Sequence, residues 1–170
     1  QRLPEHAGSL AAWPSVVAVV PARNEAESIG AVTAGLLAQD YAGAFRVIVV
    51  DDASTDGTAD LARAQGTSRH RLDVVPAPPL APGWTGKLAA LETGVKQVGD
   101  SSDYLWFTDA DIVHPPRTLT RLVSKAVHDR RDLVSLMVRL RCESFWENRL
   151  IPAFILFFQM LYPFPAANDD

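Results

Sequence analysis

Cysteine is almost absent. Cys142 stands alone, which excludes an internal disulfide and fits a reducing compartment. The four histidines are scattered, and with one cysteine they offer no zinc-ligand spacing. An excess of positive charge is missing too: 16 Lys and Arg stand against 20 Asp and Glu, a formal net charge of −4. Binding nucleic acid by phosphate neutralisation needs the opposite balance, so no nucleic-acid partner is expected. No internal repeat or low-complexity tract is present. No apolar stretch reaches the ~20 residues that span a bilayer. A signal peptide is not expected: residues 10–22 are mostly apolar but contain Trp13-Pro14 and lack a basic flank. The first residue is Gln1 rather than Met, which reads as a piece of something longer.

What is present is the composition of a globular protein, 48% hydrophobic and 21% charged, enough for one sizeable core. Apolar, β-branched runs alternate with helical patterns, the signature of a mostly parallel α/β sheet. Strands are predicted over 15–20, 46–50, 72–75, 104–108 and 133–138. Helices are predicted after Asn24 (capped by it, with Glu27 as its capping-box partner), over 58–64, over 86–98, and from Pro115-Pro116 onward. The expected apolar faces are Ile29, Val32 and Leu36 in the first helix and Leu88, Leu91, Val95 and Val98 in the third. In the fourth they are Leu119, Leu122, Val123, Ala126 and Val127. The stretch "PAPPLAPG" cannot be regular structure.

In open α/β sheets ligands bind at the carboxyl ends of the strands. Three polar clusters fall there: "PARNE", "DDASTD" and "TDAD". In "TDAD", Asp109 and Asp111 can aim two carboxylates the same way. That suits Mg²⁺ or Mn²⁺ carrying phosphate oxygens as well, which would neutralise a diphosphate leaving group. His114 is a candidate third ligand, or ordinary surface before a Pro-Pro helix start. Asp52 is expected to accept hydrogen bonds from a base N–H or ribose hydroxyl. Asp51 is expected to serve the loop, with Ser54, Thr55, Asp56 and Gly57 building the turn. In "PARNE", Pro21 fixes the strand exit, and the backbone N–H groups beyond it suit an anion. Glu25 can hold a ribose hydroxyl, and Arg23 can face phosphate or pair with Asp51 or Asp52. Lys87 lies in the first turn of a helix, against the helix dipole, so it needs a phosphate or a carboxylate. Trp84 can stack on a base or sugar, or plug the core.

In this order, "VVPARNE", "VIVVDDASTDGT", "GWTGKLAALETG" and "TDADIVHPP" resemble the family 2 glycosyltransferases with the GT-A fold, over roughly residues 15–120. "PPLAPGWTGK" and the late apolar segment are similar to the hopene-associated subgroup. The resemblance implies a Rossmann-like GT-A sheet, a nucleotide-sugar donor (commonly a UDP-sugar) and a divalent metal at Asp109 and Asp111. It places donor contacts at Pro21, Ala22, Arg23, Glu25, Asp51, Asp52, Lys87, Asp109, Ala110 and Asp111. It also implies inverting transfer by a general base in an acidic motif beyond Asp170. Asp169 and Asp170 come too early for that role. The implied layout is an extension at 1–14, a donor-binding core at 15–140, and an apolar helical segment at 141–170 before an acceptor half.

Two other classes share an acidic strand-end site. A nucleotidyltransferase needs a glycine-rich basic phosphate loop after its first strand, and "PARNEAESIG" is not one. A phospho-receiver signalling module needs its double Asp after the first strand. The segment 150–164 is strongly apolar, with Pro152, Gln159 and Pro163 inside it. Residues 121–149 before it hold seven Lys and Arg against four Asp and Glu. A basic stretch leading into an aromatic-rich segment suits the cytoplasmic face of the cell membrane, with a lipid or saccharide acceptor. A helix buried in a core or docked on further chain fits the pattern equally.

Overall fold

Residues 16–20 and 47–50 are buried on both sides, as parallel strands covered by helices must be. Each Val or Ile sequestered there contributes roughly 1.5–3 kcal/mol relative to exposure. The computed structural model describes residues 10, 12–66, 69–100, 102–136, 138 and 144–161. Its elements run β1 (Val16–Ala22), α1 (Ile29–Leu37), β2 (Phe45–Asp51), α2 (Thr58–Arg63), β3 (Arg71–Pro76), α3 (Gly86–Val98), β4 (Tyr104–Phe107), α4 (Thr118–His128) and α5 (Phe145–Leu161). The chain divides into two compact units, Gln1–Leu136 and Met137–Asp170.

In the first unit all strand pairs are parallel, in the order β3-β2-β1-β4. The chain steps outward from β1 to β3, then crosses back to place β4 on the other side of β1. The reversal between β1 and β4 is the switch point at which such sheets open a crevice. On one face Val16, Ala18 and Val20 pack with Val47 and Val49 under α1, α2 and α4. On the other, Val17, Val19, Ile48 and Val50 meet Ala90 and Val98 of α3. Pro21 sits inside β1 opposite Val50. Its missing N–H costs nothing in the ladder. The Val19 carbonyl still accepts from Thr108 N at 3.3 Å, but β4 ends at Phe107, so no strand lies beside Pro21 on that side.

Four expectations are corrected. First, α1 starts at Ile29, not directly after Asn24, and its N-cap position is Ser28. Asn24 lies in the left-handed region, φ 55°, and its side chain is spent elsewhere. Second, α3 buries Ala89, Ala90, Gly94 and Val98, while Leu88 is 56% and Val95 38% exposed. The helix lies so close to the sheet that a Cβ on Gly94 would overlap Val19, so small residues take the inner face. Third, the fifth strand is not formed at residues 133–136 or 138. A strand needs a partner ladder, and Leu133 is 84% exposed; Met137 lies outside the described residues. Fourth, Val127 of α4 is exposed, whereas Leu119, Val123 and Ala126 are buried as expected.

In the second unit, α5 runs through Pro152, which removes one backbone bond without ending the helix. Among the described residues, no helix is long and apolar enough to cross a membrane. Cys142, Pro163, Asp169 and Asp170 lie outside the described residues, as does most of the 1–14 extension.

Candidate active site

The loop after β1 and the loop after β2 are stitched together. Asn24 N donates to Ser54 Oγ at 3.0 Å, and Thr55 N donates back to Asn24 Oδ1 at 2.9 Å. Glu25 N donates to Thr58 Oγ1 at 2.8 Å, and Ala26 N to Asp56 Oδ2 at 3.0 Å. These N–H groups ahead of α1 are therefore taken by side chains of the second loop, and the expected backbone anion site is not formed there. Asp56 fills that place. Its carboxylate also accepts from Thr58 N, and the Thr58 hydroxyl hydrogen bond holds its carboxyl below the ordinary range. Gly57 (φ 88°) and Ala53 (φ 53°) turn the loop through the left-handed region. At Ala53 this is strain next to a site residue, Asp52.

The stitched loops hold Asp52 over α3. Its carboxylate lies against Gly86, where a Cβ would overlap it. Arg23 Nη1 approaches Asp52 Oδ2 at 3.3 Å. Across from this pair, Lys87 Nζ lies 2.6 Å from Asp109 Oδ1. Lys87 has thus found the carboxylate partner that its place on α3 called for.

These groups share one cavity of about 370 Å³. The end of β1 supplies Pro21, Ala22, Arg23 and Glu25; the end of β2 supplies Asp52; the end of β4 supplies Asp109, Ala110 and Asp111. From α3 come Gly86, Lys87 and Ala90. Of the expected donor contacts, only Asp51 is not in the lining. Its Oδ2 accepts from Ser54 N at 3.3 Å, and its Oδ1 is buried without a hydrogen-bond partner among the described residues. Gly86 and Ala90 were missed by sequence reasoning. The small residues Gly86, Ala90 and Gly94 recur every fourth position, and that spacing was the available signal.

His114 does not join the cavity. Its Nε2 is 2.7 Å from Thr108 Oγ1, and its ring packs on Trp106 at 4.6 Å. It is not plain surface either: the ring is half-buried, with Thr108 on one ring nitrogen and Trp106 against it. Burial holds its imidazole below the ordinary value. Trp84 is 44% exposed, so it does not plug the core, and it is not in the lining. A wider groove of about 860 Å³ runs past Trp13, Tyr104 and Phe107. Its Asp103 already accepts from Ser15 N and Oγ, both at 2.7 Å, and among the described residues Asp132 is the one other carboxylate in its lining.

Two cations, Arg23 and Lys87, stand against four carboxylates, Glu25, Asp52, Asp109 and Asp111, a formal −2 in the lining. Among the described residues, no three His, Cys, Asp or Glu side chains form a self-sufficient metal cluster. A half-buried carboxylate, Asp109, and an exposed one, Asp111, on one short turn instead fit a hard cation that completes its shell from phosphate oxygens and water.

A family model, Glycosyl transferase family 2, matches residues 17–168. Glycosyltransferase AglE of Haloferax volcanii is 33% identical over 122 residues, 71% of this chain and 38% of that protein. Undecaprenyl-phosphate 4-deoxy-4-formamido-L-arabinose transferase of Salmonella paratyphi A is 30% identical over 115 residues, 65% of this chain and 33% of that protein. Among solved structures, mannosyltransferase PcManGT of Pyrobaculum calidifontis, in complex with GDP-Man and Mn²⁺, is similar with a TM-score of 0.58 at 30% identity. That likeness covers 68% of this chain and 33% of the other. The chain spans 33% to 38% of the length of these two curated relatives.

Proposed function

The chain belongs to glycosyl transferase family 2, and from that premise we propose that the cavity at the ends of β1, β2 and β4 binds a nucleotide-sugar for transfer to an acceptor. One observation carries the reading: carboxylates from three strand ends and a lysine from α3 line a single cavity at the sheet's switch point. Asp52 and Glu25 accept hydrogen bonds from the nucleoside. One Glu25 oxygen is already fixed by Ser28 Oγ at 2.9 Å, which leaves the other to aim. Asp109 and Asp111 hold Mg²⁺ or Mn²⁺, and Lys87 and Arg23 face the diphosphate. When bound, the cation neutralises charge developing on the leaving nucleoside diphosphate. Asp51 keeps the second loop in place rather than touching donor.

The donor is a nucleoside diphosphate sugar, a UDP-sugar first; the GDP-Man of the Pyrobaculum enzyme makes guanosine the comparison. Transfer is inverting, with the base supplied by an acidic group beyond Asp170. The acceptor is a lipid, of hopanoid or polyisoprenoid type, or a saccharide, and the Salmonella relative's name supports the lipid. Residues 15–140 form the donor-binding core after a short extension at 1–14. Residues 141–170 form an apolar segment at the inner face of the cell membrane.

Thermal-shift titration tests the donor site. Wild-type protein is titrated with UDP-sugars or GDP-sugars plus Mn²⁺, with NTPs plus Mg²⁺, and with a small phosphoryl donor. A nucleotide-sugar at ~100 times its Kd stabilises by about 2.7 kcal/mol, a rise of roughly 5–10 °C at this size. Asp109→Asn removes the metal-dependent part of that rise. A larger rise with NTPs or the phosphoryl donor, or an unchanged metal effect in Asp109→Asn, overturns the reading.

A further inference from the structure

Lys87 Nζ lies 2.6 Å from Asp109 Oδ1, on a carboxylate that the proposed function assigns to the cation. An ammonium and a divalent cation sharing one carboxylate repel each other, which favours Lys87 leaving Asp109 when the cation arrives. We propose that Lys87 is a positioning residue that guards Asp109 in the ligand-free protein and transfers its contact to the donor's diphosphate, thereby coupling nucleotide binding to metal binding. The inference rests on the donor-site reading and deepens it.

Three features favour the transfer. The pair is accessible, with 60% of the Lys87 side chain and 48% of the Asp109 side chain exposed, so it is weakly held and exchanges readily. Lys87 lies in the first turn of α3, a turn without an acidic residue. The helix dipole there disfavours a cation that has lost its counter-charge. Once displaced from Asp109, the ammonium has reason to seek the next anion in the cavity, and its four-carbon stem lets it swing. Arg23 is differently placed: it pairs with Asp52 at 3.3 Å and does not compete for Asp109. Metal alone therefore meets a competitor, whereas metal with nucleotide meets a lysine that has somewhere to go. By linkage, nucleotide tightens metal and metal tightens nucleotide by the same factor.

The test reads free Mn²⁺ by electron paramagnetic resonance, with and without UDP or GDP, and needs no turnover. Lys87→Met tightens Mn²⁺ alone by about 3- to 5-fold, the scale of an exposed ion pair. It also shrinks the factor by which nucleotide tightens Mn²⁺. Lys87→Arg stays close to wild type. Arg23→Met, which removes a cation of the same lining but no competitor for Asp109, tightens Mn²⁺ less than Lys87→Met does. If Lys87→Met leaves the affinity for Mn²⁺ alone unchanged, or if Arg23→Met matches it, the guarding role is wrong. Asp109→Asn separates the two ideas. Where it abolishes Mn²⁺ binding and Lys87→Met has no effect, only the lysine inference falls. Where it binds Mn²⁺ like wild type, both fall.

Discussion

Asn24 and His114 show how a residue's neighbours in space override its neighbours in sequence. Asn24 precedes a helix and is followed three positions later by Glu27, a good capping signature. Yet its side-chain oxygen accepts from Thr55 N, 31 positions away. That bond holds two loops in register and leaves Asp52 aimed over Gly86. His114 follows an acidic pair and invites a metal role, but Trp106 and Thr108 claim it. Its burial has a pH consequence. The folded imidazole titrates below its ordinary value of 6.5, so the unfolded chain takes up the proton first as pH falls. Stability from this group is full above about pH 6.5 and is lost as pH drops through the folded value. His114→Phe keeps a ring on Trp106 and removes the titration. Urea unfolding at pH 7.5 and pH 5.5 should show a smaller loss for the variant than for wild type. An equal loss would clear His114 as the source.

At the scale of elements, the period of each helix was legible but the choice of inner face was not always. In α1 the large residues Ile29, Val32 and Leu36 face the core as expected. In α3 the pattern of large residues misled, because Leu88 and Val95 face outward and Ala90, Gly94 and Val98 face the sheet. Close approach decides the matter: Val19 and Val50 leave no room for a Cβ at Gly94. The same close approach brings Gly86, Lys87 and Ala90 into the cavity lining. Gly94→Leu should therefore cost about 1–3 kcal/mol in urea unfolding through overpacking, and it should weaken nucleotide binding by lifting α3. Unchanged stability would mean that α3 can shift outward freely. The strands were the most legible elements. Runs such as 47–50 are apolar on both faces, and such runs are stable only between two helical layers. Residues 133–138 had the composition, but 133–136 and 138 join no ladder among the described residues.

For the whole molecule, charge is distributed against its own average. A net −4 overall coexists with a basic stretch at 121–149 that leads into α5. There Phe154, Leu156, Phe157 and Met160 are all more than half exposed. The proposed membrane contact makes a direct prediction. Leu156→Glu and Phe157→Glu should each reduce co-sedimentation with anionic liposomes, and unchanged co-sedimentation would count against it. The parallel α/β architecture, the strand-end placement of the polar clusters and the family were all readable from residue types and their order. Apolar periodicity and turn chemistry are local properties, and "PARNE", "DDASTD" and "TDAD" each close a strand wherever it lies in the sheet. Only the folded chain decided which groups meet. The order β3-β2-β1-β4 puts "TDAD" beside "PARNE", although "DDASTD" comes between them in the chain. It gives Asp52 to Arg23, Lys87 to Asp109, and the N–H groups before α1 to Ser54, Asp56 and Thr58. These pairings bridge separations of 22 to 33 positions in the chain. No local pattern encodes them, because they depend on which strand ends the sheet brings side by side.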